Sequence, residues 1–495
     1  MKRSNLFKSS FIEAAGFTAW KNKNFAGTWL CILSILFSPS TQAQNKAPNH
    51  TVAGNSQSTG NVEVYNYPRI SPRSNDYKCK ADGCEIFVYQ TSAGPFAAFS
   101  SSGAVNIEIE MPVESKNVSI SPKRYGILPD INGKLVSFTV PGPMLLALEM
   151  EGMPALYIYI NPPEKNVPDF AAPNVRYFKA GQVYEVGELT LSDNETLYIE
   201  GGAVVRGCIR ATSAKNVHVA GFGVIDGGYY RKGVDGHRSI VFEDCQNSTI
   251  EDIIMIEPTS WMIVLGICRD IAVRNVKQLG SLGSTDGADI VGSKQIRIQN
   301  CFFRNGDDCI AVKSLDLSAQ RNDATLDYSR DVEDVEINGC AFLSYIGGQA
   351  LEIGHELRTR SIQNIRFINC DILGVHGFGG VFGIHNSDRA TVRDVLYENI
   401  RVEHHYDKLI DIKVIKSRWS KDTQRGQIQN VIFRNIDVAI SEYNPGYTCS
   451  LIGGYDSEHT VSNVLFEDFR LNGVKVLNPD QMDLYSKQAI NIIFK

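Results

Sequence analysis

Two short phrases bring acidic side chains close together: Ser284-Thr-Asp-Gly-Ala-Asp289 and Asn305-Gly-Asp-Asp-Cys309. Their carboxylates Asp286, Asp307 and Asp308 are the groups whose type and spacing could do chemistry. Three carboxylates held together cannot all ionise cheaply, so such a group keeps a proton near neutral pH. A retained proton beside ionised carboxylates suits cleavage of a glycosidic bond. One acid protonates the leaving oxygen while a carboxylate on the other side activates water. Asp-Gly and Asp-Asp are also ordinary turn residues. The chemistry therefore depends on whatever brings the two phrases together. Three carboxylates could alternatively hold calcium; the reading expects neither metal nor cofactor.

The scaffold is legible from residue 216 onward as a recurring phrase: alternating apolar residues, then Asn, Asp or Gly. It ends at Gly221, Asp252, Asn275, Asn300, Gly339, Asn369, Asn399, Asn435 and Asp468, in steps of 31, 23, 25, 39, 30, 30, 36 and 33. Each phrase has the period of a strand. No amphipathic helical stretch is long enough to cross between parallel strands. The pattern predicts an all-β coil of short strands, a parallel β-helix in which each coil buries its apolar side chains on its neighbours. The irregular steps argue against a propeller. Asn at one register predicts an internal amide stack, with Cys301, Cys340 and Cys370 facing inward. Asp286 and Asp307 are 21 residues apart, close to one coil, so they are expected on adjacent coils roughly 4.8 Å apart.

Before the repeat the texture changes. Cys84–Gln90, Val105–Glu110, Leu135–Val140 and Leu156–Ile160 are strand-like and punctuated by Pro and Gly. They predict an antiparallel β-sandwich over 61–165. Asn161-Pro-Pro-Glu-Lys-Asn-Val-Pro168 is a stiff link to a β-helix over 170–495. At the N-terminus, Lys2, Arg3, Lys8, Lys21 and Lys23 precede the apolar run Trp29–Phe37 and then Thr41-Gln-Ala43. That order predicts a secretory signal peptide over 1–43 and a linker over 44–60. The expected location is secreted or periplasmic. The apolar run is too short to span a bilayer.

The 495 residues carry 49 basic and 55 acidic side chains, a net charge of −6. Loss of the leader, a net +4, would leave −10. Neither value gives a footprint for nucleic acid. Cys79 and Cys84 are close enough in sequence to bridge, and no metal-like Cys-x-x-Cys occurs.

Ser284-Thr-Asp-Gly-Ala-Asp-Ile290 resembles the Asn-Thr-Asp-Gly-Ile-Asp phrase of polygalacturonases, glycoside hydrolase family 28. Asn305-Gly-Asp-Asp-Cys-Ile-Ala-Val-Lys-Ser314 closely resembles their Gly-Asp-Asp-Cys phrase. The resemblance covers roughly 175–475 and implies an inverting hydrolase on a right-handed parallel β-helix. It implies Asp307 as general acid, with Asp286 and Asp308 activating water, and a polysaccharide as substrate. The family's Gly-His-Gly phrase aligns with Gly348–Gly354, which places Gln349 at the histidine and His355 six residues on. Its Arg-Ile-Lys phrase aligns with Val414-Ile-Lys416, which keeps Lys416 and puts Val414 at the arginine. Arg418 and Lys313 are the candidate replacements for holding a substrate carboxylate. The leading sandwich is also similar in arrangement to dextranases of glycoside hydrolase family 49, whose substrate is a neutral α-glucan. A calcium-dependent polysaccharide lyase and an inactive glycan-binding β-helix are the remaining alternatives. Trp261 and Trp419 are weak candidates for stacking on sugars, and His376 and His385 read as solvated or hydrogen-bonded side chains.

Overall fold

In Val105–Glu110 and Leu135–Val140 every second side chain is buried, and the two strands pair antiparallel with Val105 opposite Val140. They belong to a five-stranded sheet facing a seven-stranded one, and together the two form the sandwich. The computed structural model describes residues 58–59, 61–231, 237–318, 324–440, 446 and 448–495. The predicted signal peptide lies outside the described residues. Ser58–Thr59, assigned to the linker, is a strand pairing with Val62–Val64.

Three expectations need correction. Cys84–Gln90 is not one strand: Cys84–Ile86 joins the five-stranded sheet and Val88–Tyr89 joins the other. The hairpin sets Cys79 opposite Ile86 and Cys84 opposite Ala81, so Cys79 is a buried thiol and no bridge links the pair. The sandwich also contains one parallel pair, Leu156–Asn161 with Phe96–Ser101.

From Val175 onward a single 30-stranded sheet winds through successive coils. Successive coils pair in parallel, as Ala288–Val291 does with Ile310–Ser314. This is a right-handed parallel β-helix. Its core is a continuous stack of Ile, Val, Leu and Phe side chains, with Cys301, Cys340 and Cys370 facing inward. Each recurring phrase ends on a left-handed residue, from Gly221 at φ 101° to Asp468 at φ 52°. Asn and Asp tolerate that conformation better than other non-glycine residues, which explains their place there. The amide ladder forms, with Asn399 Nδ2 donating to Asn369 at 3.1 Å and Asn435 Nδ2 to Asn399 at 2.7 Å. It runs along the outside of the bend, not the interior, because the left-handed turn points these side chains away from the core.

The sandwich is welded to the helix. Leu156–Asn161 is buried on both faces. Leu156, Ile158 and Ile160 enter the sandwich core, while Tyr157 and Tyr159 pack with Val204, Phe222, Ile254 and Phe302 of the coils. At this seam Lys277 is fully buried and donates to Asn161 Oδ1 at 2.5 Å and to the Asp252 carbonyl at 3.0 Å. Burial pushes its amine down to about 7. The unfolded chain keeps the ordinary value of about 10.4, so between these values it binds a proton the folded chain lacks. Stability must then rise with pH across that window, by at most about 1.4 kcal/mol per pH unit from this group. We expect Lys277→Met to remove that part of the slope, measured by denaturant unfolding of both proteins at pH 7 and pH 9. An identical slope in the two would show that Lys277 stays charged.

Candidate active site

Four strands on successive coils, Ile263–Gly266, Ala288–Val291, Ile310–Ser314 and Leu351–Leu357, form the floor. The main-chain ladder continues just ahead of them. Met262 N–H donates to the Asp286 carbonyl at 2.8 Å, Gly287 N–H to Asp308 at 2.8 Å, and Cys309 N–H to Gln349 at 2.9 Å. Trp261, Asp286, Asp308 and Gln349 therefore stand in one file across four coils. Asp308, not Asp307, is the direct neighbour of Asp286. Asp307 sits one residue earlier in the turn, where its Oδ2 accepts the Ser284 N–H at 2.7 Å. All three carboxylates line one cavity.

Glycines let these turns close. A Cβ on Gly306 would lie 2.0 Å from the Leu282 carbonyl oxygen. Gly348 has φ 73°, and a Cβ there would lie 2.5 Å from Asp307 Oδ1. Asp308 is anchored from the next coil by the Gln349 N–H, 2.7 Å from its Oδ1.

Lys313 supplies the countercharge. Its Nζ donates to Asp286 Oδ2 at 2.9 Å and Asp289 Oδ1 at 2.7 Å, and lies 4.1 Å from the centre of the Trp261 ring. Arg238 covers the same ring at 4.7 Å. Burial opposes the ammonium, but Asp286 and Asp289 outweigh it and hold Lys313 well above its ordinary value. Burial pushes Asp286 and Asp308 well above the carboxylate range, and their mutual proximity within the trio adds to it. Burial also raises Asp289, to about 6, against the pull of Lys313. The group as a whole retains a proton that belongs to the cluster.

A second charged network lies beside the first. Strand register puts Asp289, Ala311, Glu352, Gly383 and Asp411 in one file. Small residues alternate with acids, so like charges are never direct neighbours. A Cβ on Gly383 would lie 2.0 Å from Glu352 Oε2. His385 bonds Glu352 at 2.8 Å and Asp411 at 3.2 Å, and Lys413 bonds Asp411 at 2.8 Å. Burial opposes the imidazolium, but Glu352 and Asp411 outweigh it and raise His385 to about 9. His355 stacks on His385 at 4.3 Å, and burial pushes it down to about 4. Of the two alternatives expected for His385, solvated or hydrogen-bonded, this is the second, in the form of a buried ion pair. Its signal was the coil register, which sets His385 two residues beyond the Glu352 file.

The cavity measures about 360 Å³. Of the expected substrate-binding residues, Lys313, Gln349, His355 and Arg418 line it, together with Arg238, Trp261, Glu356 and Trp419. Lys416 does not. In Ile410–Val414 the alternation turns Asp411 and Lys413 outward and Val414 into the core. The strand ends there, and Lys416 is exposed beyond it. Lys413 is the basic group this strand directs toward the site's charge network. Arg418 lies over Trp419 at 4.5 Å on a turn fixed by buried Asp388, which accepts N–H groups from Leu357, Lys421 and Asp422. Among the described residues, donor atoms of Glu352, His355 and His385, and of Glu188, Cys208 and His237, lie within 4.8 Å of one another. The aspartate trio forms no such group; its neighbouring cation is Lys313.

The fold matches Dex49A from Penicillium minioluteum with a TM-score of 0.59 at 13% identity, covering 89% of this chain and 98% of that one. In sequence, 98 residues are 35% identical to a probable rhamnogalacturonase A of Aspergillus niger, covering 19% of this chain and 21% of the relative. Over 294 residues the chain is 23% identical to a probable exopolygalacturonase A of the same species, covering 54% of this chain and 57% of that relative. The chain thus spans about a fifth of the length of the rhamnogalacturonase it matches. The sequence profile described as "Glycosyl hydrolases family 28" matches residues 187–475, more than half of the chain and all of the aspartate site. The chain belongs to glycosyl hydrolases family 28.

Proposed function

We propose that the protein is a secreted hydrolase that cleaves an α-linked pectic polysaccharide by a single displacement with inversion. The observation that carries this reading is the grouping of Asp286, Asp307 and Asp308 from two separate turns on the wall of one cavity. Asp307 gives the cluster's proton to the glycosidic oxygen. Asp286 and Asp308 hold a water and take its proton as the water attacks the anomeric carbon from the opposite face. The bond to the leaving oxygen breaks, and the leaving hydroxyl keeps the proton from Asp307. Lys313 opposes the burial that raises Asp286 and so favours its ionised form as the water's proton departs.

Recognition of an acidic sugar falls to Arg418, which is exposed, makes no ion pair among the described residues and stands beside the 43% exposed Trp419. A second reading, a neutral α-glucan as substrate, is favoured by one observation. The lysine that touches the aspartates is already paired, Lys313 with Asp286 and Asp289.

The test is a panel of polygalacturonan, rhamnogalacturonan and dextran, scored by reducing ends, by the anomer first formed and by ultraviolet absorbance. New reducing ends of inverted configuration from a uronate polymer are expected. Arg418→Ala should raise KM on that polymer about tenfold, as expected for losing one charge-assisted contact, with kcat little changed. Release from dextran alone would move the assignment to the neutral substrate. Products with a conjugated double bond would replace hydrolysis with elimination.

A further inference from the structure

The widest step of the repeat lies directly after the catalytic turn, where residues 315–331 separate Ile310–Ser314 from Val332–Asn338. The described part of this connection folds back over the preceding coils. Leu315, Leu317, Ala324 and Tyr328 pack on Val241, Val264 and Val291. Those valines are the outward-facing residues of Ile240–Glu243, Ile263–Gly266 and Ala288–Val291, whose other side chains fill the helix core. Tyr328 is fully buried, and a Cβ on Gly266 would meet its ring at 2.4 Å. Buried Glu243 accepts the N–H groups of Thr325 and Leu326, each at 2.7 Å, and Ser314 Oγ donates to the Arg330 carbonyl at 2.9 Å.

The outer face of the sheet is therefore sealed on the N-terminal side of the aspartates by an apolar plug, and Leu315 and Leu317 form the cavity wall there. Along the same outward file the residues stay buried from Val264 and Asp289 through Ala311, Glu352, Gly383 and Asp411, and exposure begins at Leu451, partly exposed, and reaches 58% at Tyr485.

Resting on the hydrolase reading, we propose that Leu315, Leu317, Ala324 and Tyr328 close one end of the groove, so that the substrate enters as a chain terminus. The enzyme then trims polymers from one end, and the distance from the plug to Asp307 sets a single product length.

The experiment uses the full protein and the pectic polymer it cleaves fastest, with defined oligomers of that polymer. The oligomers are unmodified, reduced at the reducing end, or carry an unsaturated residue at the other end. One product length from the earliest time points is expected, with at least a tenfold loss of rate when one particular end is modified. Leu317→Ala combined with Tyr328→Ala should open the plug and yield intermediate lengths. An early ladder of lengths from the unmutated enzyme, with equal rates on all three oligomers, would overturn the closed end and leave the hydrolase reading standing. Failure to release reducing ends from any polymer would overturn the hydrolase reading, and this inference with it.

Discussion

Asp307→Asn should lower kcat by about 10²–10⁴-fold, the usual worth of a positioned general acid, and leave the melting temperature nearly unchanged. The two effects separate because of where this carboxylate sits. Asp307 is the least buried of the three and, among the described residues, is held only by N–H groups, from Ser284 at 2.7 Å and Asp308 at 3.1 Å. An asparagine carbonyl can still accept one of them, so the folding cost is about one neutral hydrogen bond, near 1 kcal/mol. The amide cannot deliver a proton to a leaving oxygen. Reducing-end assays and thermal denaturation followed by circular dichroism measure the two quantities on one preparation. Turnover close to that of the unmutated enzyme would remove Asp307 from the role of acid, whatever the fold.

Lys313→Met should have the opposite character, with activity and stability lost together. The lysine lies between Asp286 and Asp289, all three are buried, and Trp261 closes over the ammonium. Removing one partner of a buried ionic group typically costs about 3–5 kcal/mol, because the remaining charges stay desolvated. The pH dependence gives the diagnostic sign. Asp289 is already raised to about 6, and Asp286 stands well above the carboxylate range. Without the lysine both rise further, while the unfolded chain keeps about 3.9. Above pH 4 the folded variant then binds protons that the unfolded chain lacks, so its stability falls as pH rises. The variant should lie closest to the unmutated protein near pH 4 and farthest from it at pH 8. Equal melting temperatures at pH 8 would show that Lys313 does not balance these carboxylates.

Much of the architecture can be read directly from the chain. Alternation along a strand decides which side chains face inward, and this is a local property with period 2. It correctly turned Cys301, Cys340 and Cys370 into the core and predicted the stacked coils. The two Asp phrases were legible for a related reason. Each combines an acid with a glycine at a turn, and their spacing is close to one coil.

Other features depended on how coils align, and the alignment follows from turn lengths that change from coil to coil. Lys416 was expected at the site, yet its strand stops at Val414 and Lys413 is the residue turned outward. His385 could be read only as solvated or hydrogen-bonded, because Glu352 and Asp411 are 33 and 26 residues away along the chain; only the register of three coils brings them to it. The run Leu156–Ile160 read as one more strand of the sandwich, and it is the coils packing against Tyr157 and Tyr159 that bury its second face. The sequence alone determined the coiled β scaffold and the three acids, because face selection and turn chemistry are local. Tertiary structure decided which cations and aromatics meet those acids and which end of the groove is filled, because those contacts join residues that only coil stacking makes neighbours.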